Sequence, residues 1–318
     1  MPTRSIVFAG AGVFGTALAQ RLSWNEENRI TLYTIEEDVI ADVNGKHQNS
    51  KYFPGRHINT SIVATGDIAS TYEADVLFLA VPSKVIESFC HQIHGKARKD
   101  MLVINLSKGL AEDGGFLIEK IPFNRIGTLK GPTFAVEVMN GDPSGMTFGG
   151  TKEDHEYMRE VLTRTGITID HSTDMRAVEF LSVLKNMYAI AIGIVSGRYS
   201  SPNVDFLVMT KAVSEMRRML RLYGCNEETI FNYCGLGDLG LTALNDLSRN
   251  RTLGLLIGKG FSNDPKSTTV IEGLRTIKLL GELVRERHLE QDFVVLEALY
   301  SLLYMHTSLN DYYLTVLA

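Results

Sequence analysis

Short apolar runs alternate with amphipathic segments through the first half of the chain. Five runs have the length and composition of buried strands, at 6–9, 30–33, 76–81, 102–106 and 126–129. Helical spacing separates them, most clearly at 16–22 and 84–93. Strands that alternate with helices predict right-handed crossovers and a parallel sheet. Two further runs, at 146–148 and 167–169, flank a helical segment at 152–162 and are expected to complete the sheet.

The pattern changes after about residue 173, where the strand-like runs cease. Helical spacing then covers five segments, at 175–195, 205–222, 247–257, 268–285 and 293–304. Within 205–222, most apolar residues can share one broad face of a helix. We therefore predict an α/β chain, with an N-terminal Rossmann-like parallel-sheet domain at 1–175 and an all-helical domain at 176–318.

Composition narrows the class of protein without changing this division. The chain has 318 residues, 44% of them hydrophobic and 22% charged, so it can bury a core in each of two domains. These values exclude a disordered chain, and three cysteines are too few for a disulfide scaffold. The formal net charge of -5 gives no general attraction for nucleic acid. An anionic ligand must therefore be held by a local cluster of cations and backbone amides.

The sequence also carries expectations about location and metals. Only about five apolar residues precede the first glycine turn, whereas a secretory signal needs roughly 7–15 and a membrane span about 20. The three cysteines, Cys90, Cys225 and Cys234, suit a reducing cytoplasm. The histidines show no spacing typical of metal ligands. We expect a cytoplasmic protein with no membrane span and no metal.

A glycine turn follows the first predicted strand. Residues 10–15 read GAGVFG, a GxGxxG pattern between a strand and a helix. In this context Gly10 permits the tight turn, Gly12 lets a pyrophosphate approach the backbone, and Gly15 allows the helix and strand to pack closely. The pattern favours a dinucleotide bound at the start of the helix. A glycine-rich turn without a ligand is the alternative.

An acidic residue follows the second predicted strand. Glu36 lies about 20 residues beyond the glycine turn, where a carboxylate can bind the adenosine ribose hydroxyls of NAD. Residues 33–38 contain no Arg or Lys to receive the 2′-phosphate of NADP, which favours NAD. The acids of this segment equally suit the first turn of the next helix, so both interpretations stay open.

Three polar turns follow later strands of the predicted sheet. They contain Pro82, then Lys108, then Gly131 with Thr133. Ligands of open parallel sheets bind outside the carboxyl ends of the strands, so these turns are expected to face the cofactor and a substrate. Lys108 is the most suggestive residue, and Thr133 is the expected N-cap of the next helix. Each turn taken alone is equally compatible with an ordinary loop.

The helical half contains polar residues in apolar surroundings. Lys185 and Asn186 interrupt a strongly apolar helix and form the first of three polar islands, meaning short polar segments within apolar sequence. A lysine there either extends its amine to the surface or is desolvated and used chemically. A second island is 235–239, with Thr242 nearby. In a third island, 248–251, an arginine at a helix start suits either a phosphate or a solvated run of charges.

Read in order, these islands resemble the NAD(P)-dependent glycerol-3-phosphate dehydrogenases along nearly the whole chain. The matching segments are 10–19, 52–55, 80–83, 107–110, 131–137, 184–186, 235–239, 248–251 and 271–273. The resemblance implies reversible hydride transfer between NAD(P)H and dihydroxyacetone phosphate, giving sn-glycerol 3-phosphate for glycerophospholipid synthesis. It implies NAD as the cofactor and leaves NADP open.

The resemblance also implies roles for single residues. Lys185 resembles the general acid/base, and Asp238 resembles its catalytic support. Substrate contacts are implied for Lys108, Gly131, Thr133, Asn186, Thr242, Ser248, Arg249 and Asn250, with Lys108 also counted as catalytic. Cofactor contacts are implied for Gly10, Gly12, Val13, Phe14, Gly15, Glu36, Pro82, Lys108, Ala135, Arg249 and Glu272.

Two other functions stay open beside this one. A related two-domain dehydrogenase could act on another small hydroxyacid or an opine, because arginine receives carboxylates as well as phosphates. A non-catalytic dinucleotide sensor is the second, although Lys108, Lys185 and Asp238 argue for chemistry. Bulky residues at 181–184 stand where many family members have Gly or Ala, which leaves substrate fit open. The apolar faces of the helical half are expected to support a homodimer.

Overall fold

The computed structural model of the chain describes residues 3–111, 114–261 and 272–318. Contacts divide the chain into two compact units, Met1–Glu179 and Phe180–Ala318. The sequence pattern placed the change of architecture after residue 175. The structural division falls inside the helix Met175–Tyr199, which explains why no linker marks it in the sequence.

The described part of the first unit contains an eight-stranded sheet. Its strands are β1 (Arg4–Ala9), β2 (Asn28–Tyr33), β3 (Val63–Thr65), β4 (Val76–Leu79), β5 (Leu102–Asn105), β6 (Ile126–Lys130), β7 (Ser144–Gly149) and β8 (Ile167–Ser172). They lie in the order β3-β2-β1-β4-β5-β6-β7-β8, and each neighbouring pair is parallel except β6 and β7. The strands predicted from apolar runs are confirmed. β3 was not predicted, because its three residues form no apolar run.

The sheet is parallel from β3 to β6, as predicted, and the strand direction changes between β6 and β7. The chain passes from β6 to β7 through α4 (Ala135–Asn140), a helix of six residues. Six helical residues span roughly 9 Å, whereas the five residues of β6 span roughly 16 Å. A helix this short does not carry the chain back to the starting edge of the sheet. β7 therefore starts at the edge where β6 ends and runs antiparallel to β6, and β8 shares the direction of β7.

The sheet brings three turns to one edge of the first unit. Its other helices are α1 (Val13–Leu22), α2 (Glu37–Lys46), α3 (Ser83–His94) and α5 (Lys152–Val161). β4 and β5 are buried throughout, and the rings of Phe8 and Phe78 stack with centroids 4.7 Å apart. β1, β4 and β5 are neighbouring parallel strands, so their carboxyl ends lie together and the turns that follow them meet at that edge.

The described part of the second unit is helical. It continues α6 (Met175–Tyr199) and adds α7 (Pro202–Leu222), α8 (Asp238–Leu244), α9 (Arg249–Gly258), α10 (Glu272–Glu286), α11 (Val294–Tyr304) and α12 (Leu309–Leu317). The predicted helices are confirmed as α6, α7, α9, α10 and α11, and residues 268–271 of the fourth lie outside the described residues. α8 and α12, with seven and nine residues, are too short to show a clear period in the sequence.

Four glycines let α6 and α9 approach each other closely. A Cβ atom at Gly193 would lie 2.5 Å from a backbone carbonyl oxygen of α9, and one at Gly254 would lie 2.2 Å from a carbonyl oxygen of α6. Gly197 and Gly258 repeat this contact one turn further along. The two backbones therefore meet without side chains between them, which brings the start of α9 against the middle of α6.

By length and apolar composition alone, α6 is able to cross a membrane. No other helix of at least 18 residues among the described ranges has this character. The 18-residue apolar window of α6 is wholly buried inside the protein. That burial is the behaviour of a core helix, because side chains that face lipid are exposed on the protein surface.

A buried carboxylate caps α11 from a neighbouring helix. Glu215 on α7 accepts backbone N–H groups of Val295 at 2.6 Å and Leu296 at 3.1 Å. It also accepts the Tyr188 hydroxyl at 3.0 Å. The N-cap residue of α11 is Phe293, which has no side-chain acceptor, so Glu215 supplies one. Burial raises the pKa of Glu215 to about 7, because these hydrogen bonds offset only part of the desolvation.

We expect Glu215→Gln to flatten the dependence of stability on pH. Because the folded-state pKa lies above 4.5, protonation stabilises the fold fully below about pH 4.5, and this stabilisation is lost as the pH rises through about 7. At about 1.4 kcal/mol per pH unit, the free energy involved is about 3 kcal/mol. Urea unfolding of both proteins between about pH 5 and about pH 8 measures it. Exposed Glu282→Gln is the control, and equal pH profiles for wild type and Glu215→Gln would contradict the assignment.

Candidate active site

The turn between β1 and α1 is packed so tightly that glycine is required. Gly10 adopts a φ of +110°, and a Cβ atom there would lie 2.7 Å from the Ala80 carbonyl oxygen. A Cβ atom at Gly15 would lie 2.4 Å from the Gly10 carbonyl oxygen. The Gly10 N–H donates to the Tyr33 carbonyl oxygen at 2.9 Å, which joins the turn to the end of β2. The tight turn predicted at Gly10 and the close packing predicted at Gly15 are both confirmed.

Gly12 differs from the two glycines beside it. Apart from its chain neighbours, no residue in the described part of the chain would come within 4 Å of a Cβ atom at Gly12, so this side of the turn is open. Gly12 is the N-cap residue of α1, and no side chain caps the helix. Beside it, Val13 is 42% exposed and Phe14 is half-buried. Uncapped N–H groups next to an open backbone fit the pyrophosphate of a dinucleotide.

Glu36 is the N-cap residue of α2, just beyond β2, and two neighbours hold its carboxylate. Tyr52 donates its hydroxyl to Oε2 at 2.9 Å, and the Lys51 ammonium forms an ion pair with Oε1. Glu37 and Asp38 occupy the first turn of α2, as the helix-start interpretation expected. Residues 33–38 contain no cation of their own, but Lys51 reaches this segment from a turn beyond α2.

The turns after β4 and β5 lie side by side. Pro82 is the N-cap residue of α3. The Ser107 hydroxyl donates to the Val81 carbonyl oxygen and so links the two turns. Lys108 is half-buried between Ser107 and Gly109, and Gly109 adopts a φ of +120°. Lys108 therefore lies at the carboxyl edge of the sheet, where the sequence placed it.

A buried lysine that sequence reasoning missed supports this turn. Lys130 ends β6 and is 2% exposed. Its Nζ donates to the carbonyl oxygens of Asn105 and Ser107, each at 2.9 Å. The Asn105 amide donates in turn to Glu179, whose pKa is raised by burial. These bonds fix the backbone just before Lys108. The available signal was a lysine at the end of a run that otherwise reads as a buried strand.

The third turn follows β6. Gly131 has no room for a side chain, because a Cβ atom would lie 2.6 Å from the Gly145 carbonyl oxygen. The predicted N-cap role of Thr133 is wrong. The Thr133 hydroxyl donates to the Gly131 carbonyl oxygen at 3.2 Å, and the chain enters α4 one residue later. The N-cap residue is Phe134, which makes no side-chain cap, and Ala135 begins the helix.

The second unit buries a lysine–aspartate pair. Lys185 on α6 is 3% exposed, Asp238 at the start of α8 is 1% exposed, and the Lys185 ammonium donates to Asp238 Oδ1. A turn of π-helix, Tyr233–Gly237, leads directly into α8 and places Asp238 there. The Thr242 hydroxyl lies 3.5 Å from the same Oδ1. Asp238 Oδ2 is buried and has no hydrogen-bond partner among the described residues. Burial excludes the interpretation in which Lys185 extends to the surface.

Asn186 starts a second polar chain next to Lys185. Its amide nitrogen donates to Glu272 Oε2 at 3.2 Å, and its Oδ1 accepts the Asn250 amide at 3.0 Å. Asn250 Oδ1 in turn accepts the Gly273 backbone N–H at 3.3 Å. α6, α9 and α10 are thereby joined at one point. The structure thus brings together three residues, Asn186, Asn250 and Glu272, that the sequence had singled out separately.

The remaining residues of 248–251 divide into structural groups and one exposed cation. Ser248 caps α9 by accepting the Arg251 N–H. The Arg251 guanidinium donates to Ser196 at 3.1 Å and to Asp246 at 3.2 Å, so it is engaged within the fold. Arg249 is exposed and forms no ion pair with any residue that the structure describes. Arg249 is therefore the guanidinium of this segment that is available to an anionic ligand.

The bulky residues before Lys185 belong to the core. Residues 181–184 are at most 4% exposed. The close approach of α6 to α9 occurs further along, at Gly193 and Gly197. The bulk at 181–184 therefore does not push these two helices apart.

A dinucleotide turn in one unit and a buried lysine–aspartate pair in the other define a dinucleotide-dependent oxidoreductase. In residues 3–111, 114–261 and 272–318, no group of three His, Cys, Asp or Glu side chains is arranged to hold a metal ion. Family models for the NAD-dependent glycerol-3-phosphate dehydrogenase N-terminus and C-terminus match residues 5–156 and 174–313. The chain belongs to this family.

Individual relatives agree over nearly the full length. An NAD(P)+ glycerol-3-phosphate dehydrogenase from Methanothermobacter thermautotrophicus is 34% identical, over 96% of this chain and 95% of the relative. One from Mesoplasma florum is 33% identical, over 96% and 94%. The crystal structure of glycerol-3-phosphate dehydrogenase from Coxiella burnetii has a TM-score of 0.86 at 25% identity, and 99% of each chain is covered. The predicted fold class and family are confirmed.

Proposed function

We propose that this chain catalyses reversible hydride transfer between NAD(P)H and dihydroxyacetone phosphate, giving sn-glycerol 3-phosphate. The observation that carries the proposal is the buried pair of Lys185 and Asp238 in a chain of this family. A buried lysine–aspartate pair adds little net stability, because the cost of taking both charges out of water offsets much of their attraction. A lysine used for proton transfer needs this protected setting.

Lys185 is assigned the proton of the reacting oxygen. Reduction of a ketone develops an alkoxide, and a proton donor within hydrogen-bond reach lowers its energy. In the oxidative direction the neutral amine accepts the proton of the alcohol. Asp238 holds the ammonium in one orientation through Oδ1, and Thr242 lies beside that oxygen. Asp238 Oδ2, a buried acceptor without a partner among the described residues, fits a hydroxyl donor of the substrate.

The substrate phosphate is assigned to Arg249. This guanidinium lies at the first position of α9, where the N-terminus of a helix also favours an anion. Asn186 and Asn250 are fixed by each other and by Glu272, so their amide groups are oriented before substrate arrives. In the first unit, Lys130 donates to the Ser107 carbonyl oxygen and so keeps the turn that carries Lys108 in place.

The cofactor is assigned to the first unit. When bound, the nicotinamide supplies or accepts the hydride. The open backbone at Gly12 and the uncapped start of α1 hold the pyrophosphate. Glu36 accepts the ribose hydroxyls at the end of β2.

Substrate panels test the proposal. Oxidation of NADH and NADPH is followed with dihydroxyacetone phosphate, with unphosphorylated dihydroxyacetone, and with 2-oxo acids alone or with an amino acid. We expect turnover with dihydroxyacetone phosphate and kcat/KM at least roughly 100-fold lower without the phosphate, because Arg249 is then left without its anion. Turnover with a 2-oxo acid alone would favour a related hydroxyacid dehydrogenase, and turnover that requires the added amino acid would favour an opine dehydrogenase. Dinucleotide binding without any turnover would favour the sensor.

A homodimer, a cytoplasmic location and a role in supplying glycerophospholipid synthesis belong to the same proposal. Phe206 on α7 is 56% exposed and Leu314 on α12 is 66% exposed, and these helices are linked by the Lys211 ammonium, which donates to the Val316 carbonyl oxygen at 3.0 Å. Exposed apolar side chains on adjoining helices support self-association. Light scattering that gives a mass of one 35.3 kDa chain would remove the dimer.

A further inference from the structure

The segment that follows α2 carries a cation to the end of β2. Asn49 is fully buried, and its amide donates to the Ala11 carbonyl oxygen at 2.9 Å and to the Thr16 hydroxyl at 2.8 Å. Asn49 therefore fastens this segment to the glycine turn. The backbone carbonyl oxygen of Asn49 accepts the N–H groups of Tyr52 and Phe53, which closes a tight turn around residue 51. The turn is thus placed by contacts on both sides.

Lys51 lies at the tip of this turn, facing Glu36. Its ammonium pairs with Glu36 Oε1 and lies 3.5 Å from Asp38 Oδ2. The Tyr52 hydroxyl holds the other oxygen of Glu36. The hydrogen bond to Glu36 raises the pKa of Lys51, so the ammonium is charged at neutral pH. A carboxylate and an ammonium therefore meet at the point where the adenosine ribose of a dinucleotide is recognised.

These two charges have opposite effects on the two nicotinamide cofactors. The Glu36 carboxylate suits the ribose hydroxyls of NAD(H) and repels the 2′-phosphate of NADP(H). A lysine ammonium binds phosphate as a point charge. The side chains of Lys51 and Glu36 are 45% and 27% exposed, and an ion pair this exposed is weak. Lys51 can therefore exchange the carboxylate for a phosphate at little cost.

We propose that Lys51 determines whether the site accepts NADP(H) in addition to NAD(H). It pairs with Glu36 when the ribose carries a hydroxyl, and it binds the 2′-phosphate when NADP(H) enters. One site then accepts both dinucleotides. The inference rests on the proposed function only in assigning a nicotinamide dinucleotide to the first unit. It does not depend on the identity of the substrate.

Direct binding in the absence of substrate tests the proposal. Dissociation constants for NADH and NADPH are measured for wild type, Lys51→Met, Glu36→Gln and the double variant, with exposed Lys99→Met as the matched control. Lys51→Met should weaken NADPH roughly 10-fold or more and leave NADH within about 3-fold, because a charge-assisted contact to the phosphate is lost. Glu36→Gln should strengthen NADPH, and the double variant should lose this gain. Fragments isolate the contact: 2′,5′-ADP should respond to Lys51→Met and 5′-AMP should not.

Several results would overturn the role of Lys51. Equal changes for NADH and NADPH in Lys51→Met, no change in either, or a wild type that binds NADH but not NADPH each contradict it. Protein that binds both dinucleotides as expected but does not turn over dihydroxyacetone phosphate would refute the proposed function and leave Lys51 in place. Turnover of dihydroxyacetone phosphate, combined with an unaltered preference between NADH and NADPH in Lys51→Met, would refute the role of Lys51 and leave the proposed function in place.

Discussion

Lys185→Arg is expected to lower kcat at least about 100-fold while NADH binding and thermal stability stay close to wild type. Arginine keeps the positive charge that Asp238 requires. A guanidinium does not give up its proton near neutral pH, so it cannot exchange one with the reacting oxygen. Steady-state kinetics with dihydroxyacetone phosphate, NADH titration and thermal melting measure the three quantities.

The arginine variant separates chemistry from folding better than alanine does. Lys185→Ala leaves Asp238 buried without its cation, which costs about 3–5 kcal/mol and risks unfolding the second unit. Lys259→Arg, at an exposed position at the end of α9, is the matched control and should behave as wild type. A Lys185→Arg enzyme with near-normal kcat would remove Lys185 from proton transfer.

Gly12→Ala is expected to weaken NADH binding roughly 10-fold or more without destabilising the protein. Apart from its chain neighbours, no described residue comes within 4 Å of a Cβ atom at this position, and the backbone angles, φ -72° and ψ -170°, are open to alanine. The new methyl group is therefore expected to obstruct a ligand that approaches the backbone. NADH titration and thermal melting provide the two readouts.

Gly15→Ala is the matched comparison in the same turn. Its Cβ atom would lie 2.4 Å from the Gly10 carbonyl oxygen, so this variant should lose about 1–3 kcal/mol of stability as α1 is forced away. The two variants should therefore show different losses: Gly12→Ala loses NADH binding, and Gly15→Ala loses stability. If Gly12→Ala bound NADH as tightly as wild type, no pyrophosphate would lie against that backbone.

The sequence predicted those parts of the fold that depend on local periodicity. β1, β4 and β5 read directly as buried strands, because both of their faces are covered and every residue in the run is apolar or nearly so. The direction of β7 could not be predicted in the same way. It depends on the length of α4 relative to β6, and the end of a six-residue helix is not visible in a hydrophobic pattern.

The residues of the candidate site show the same difference between what local spacing predicts and what it does not. Gly10 and Gly12 were assigned correctly to a turn and Gly15 to packing in the first turn of α1, because these positions follow from spacing within a single strand–turn–helix unit. Lys51 and Lys130 were missed, because each acts on groups 15 or more residues away through a side-chain contact. Periodicity carries no information about such contacts, which depend on how separate turns pack.

The pairing of Lys185 with Asp238 lies between these cases. The two residues are 53 positions apart, and spacing alone left Lys185 with two interpretations. The family resemblance suggested the partner. The structure supplies the physical reason for the pairing. Both side chains are buried, so water cannot solvate either charge and each charge needs the other.

The claim that this chain interconverts dihydroxyacetone phosphate and sn-glycerol 3-phosphate is tested most directly in the oxidative direction. Purified protein is mixed with NAD+ and sn-glycerol 3-phosphate under alkaline conditions with a carbonyl trap, and in parallel with the sn-1 enantiomer. We expect NADH to form with the sn-3 enantiomer alone, and we expect phosphorus NMR to show the adduct of dihydroxyacetone phosphate with the carbonyl trap as the product. No NADH with either enantiomer, and none when NADP+ replaces NAD+, would contradict the assigned function.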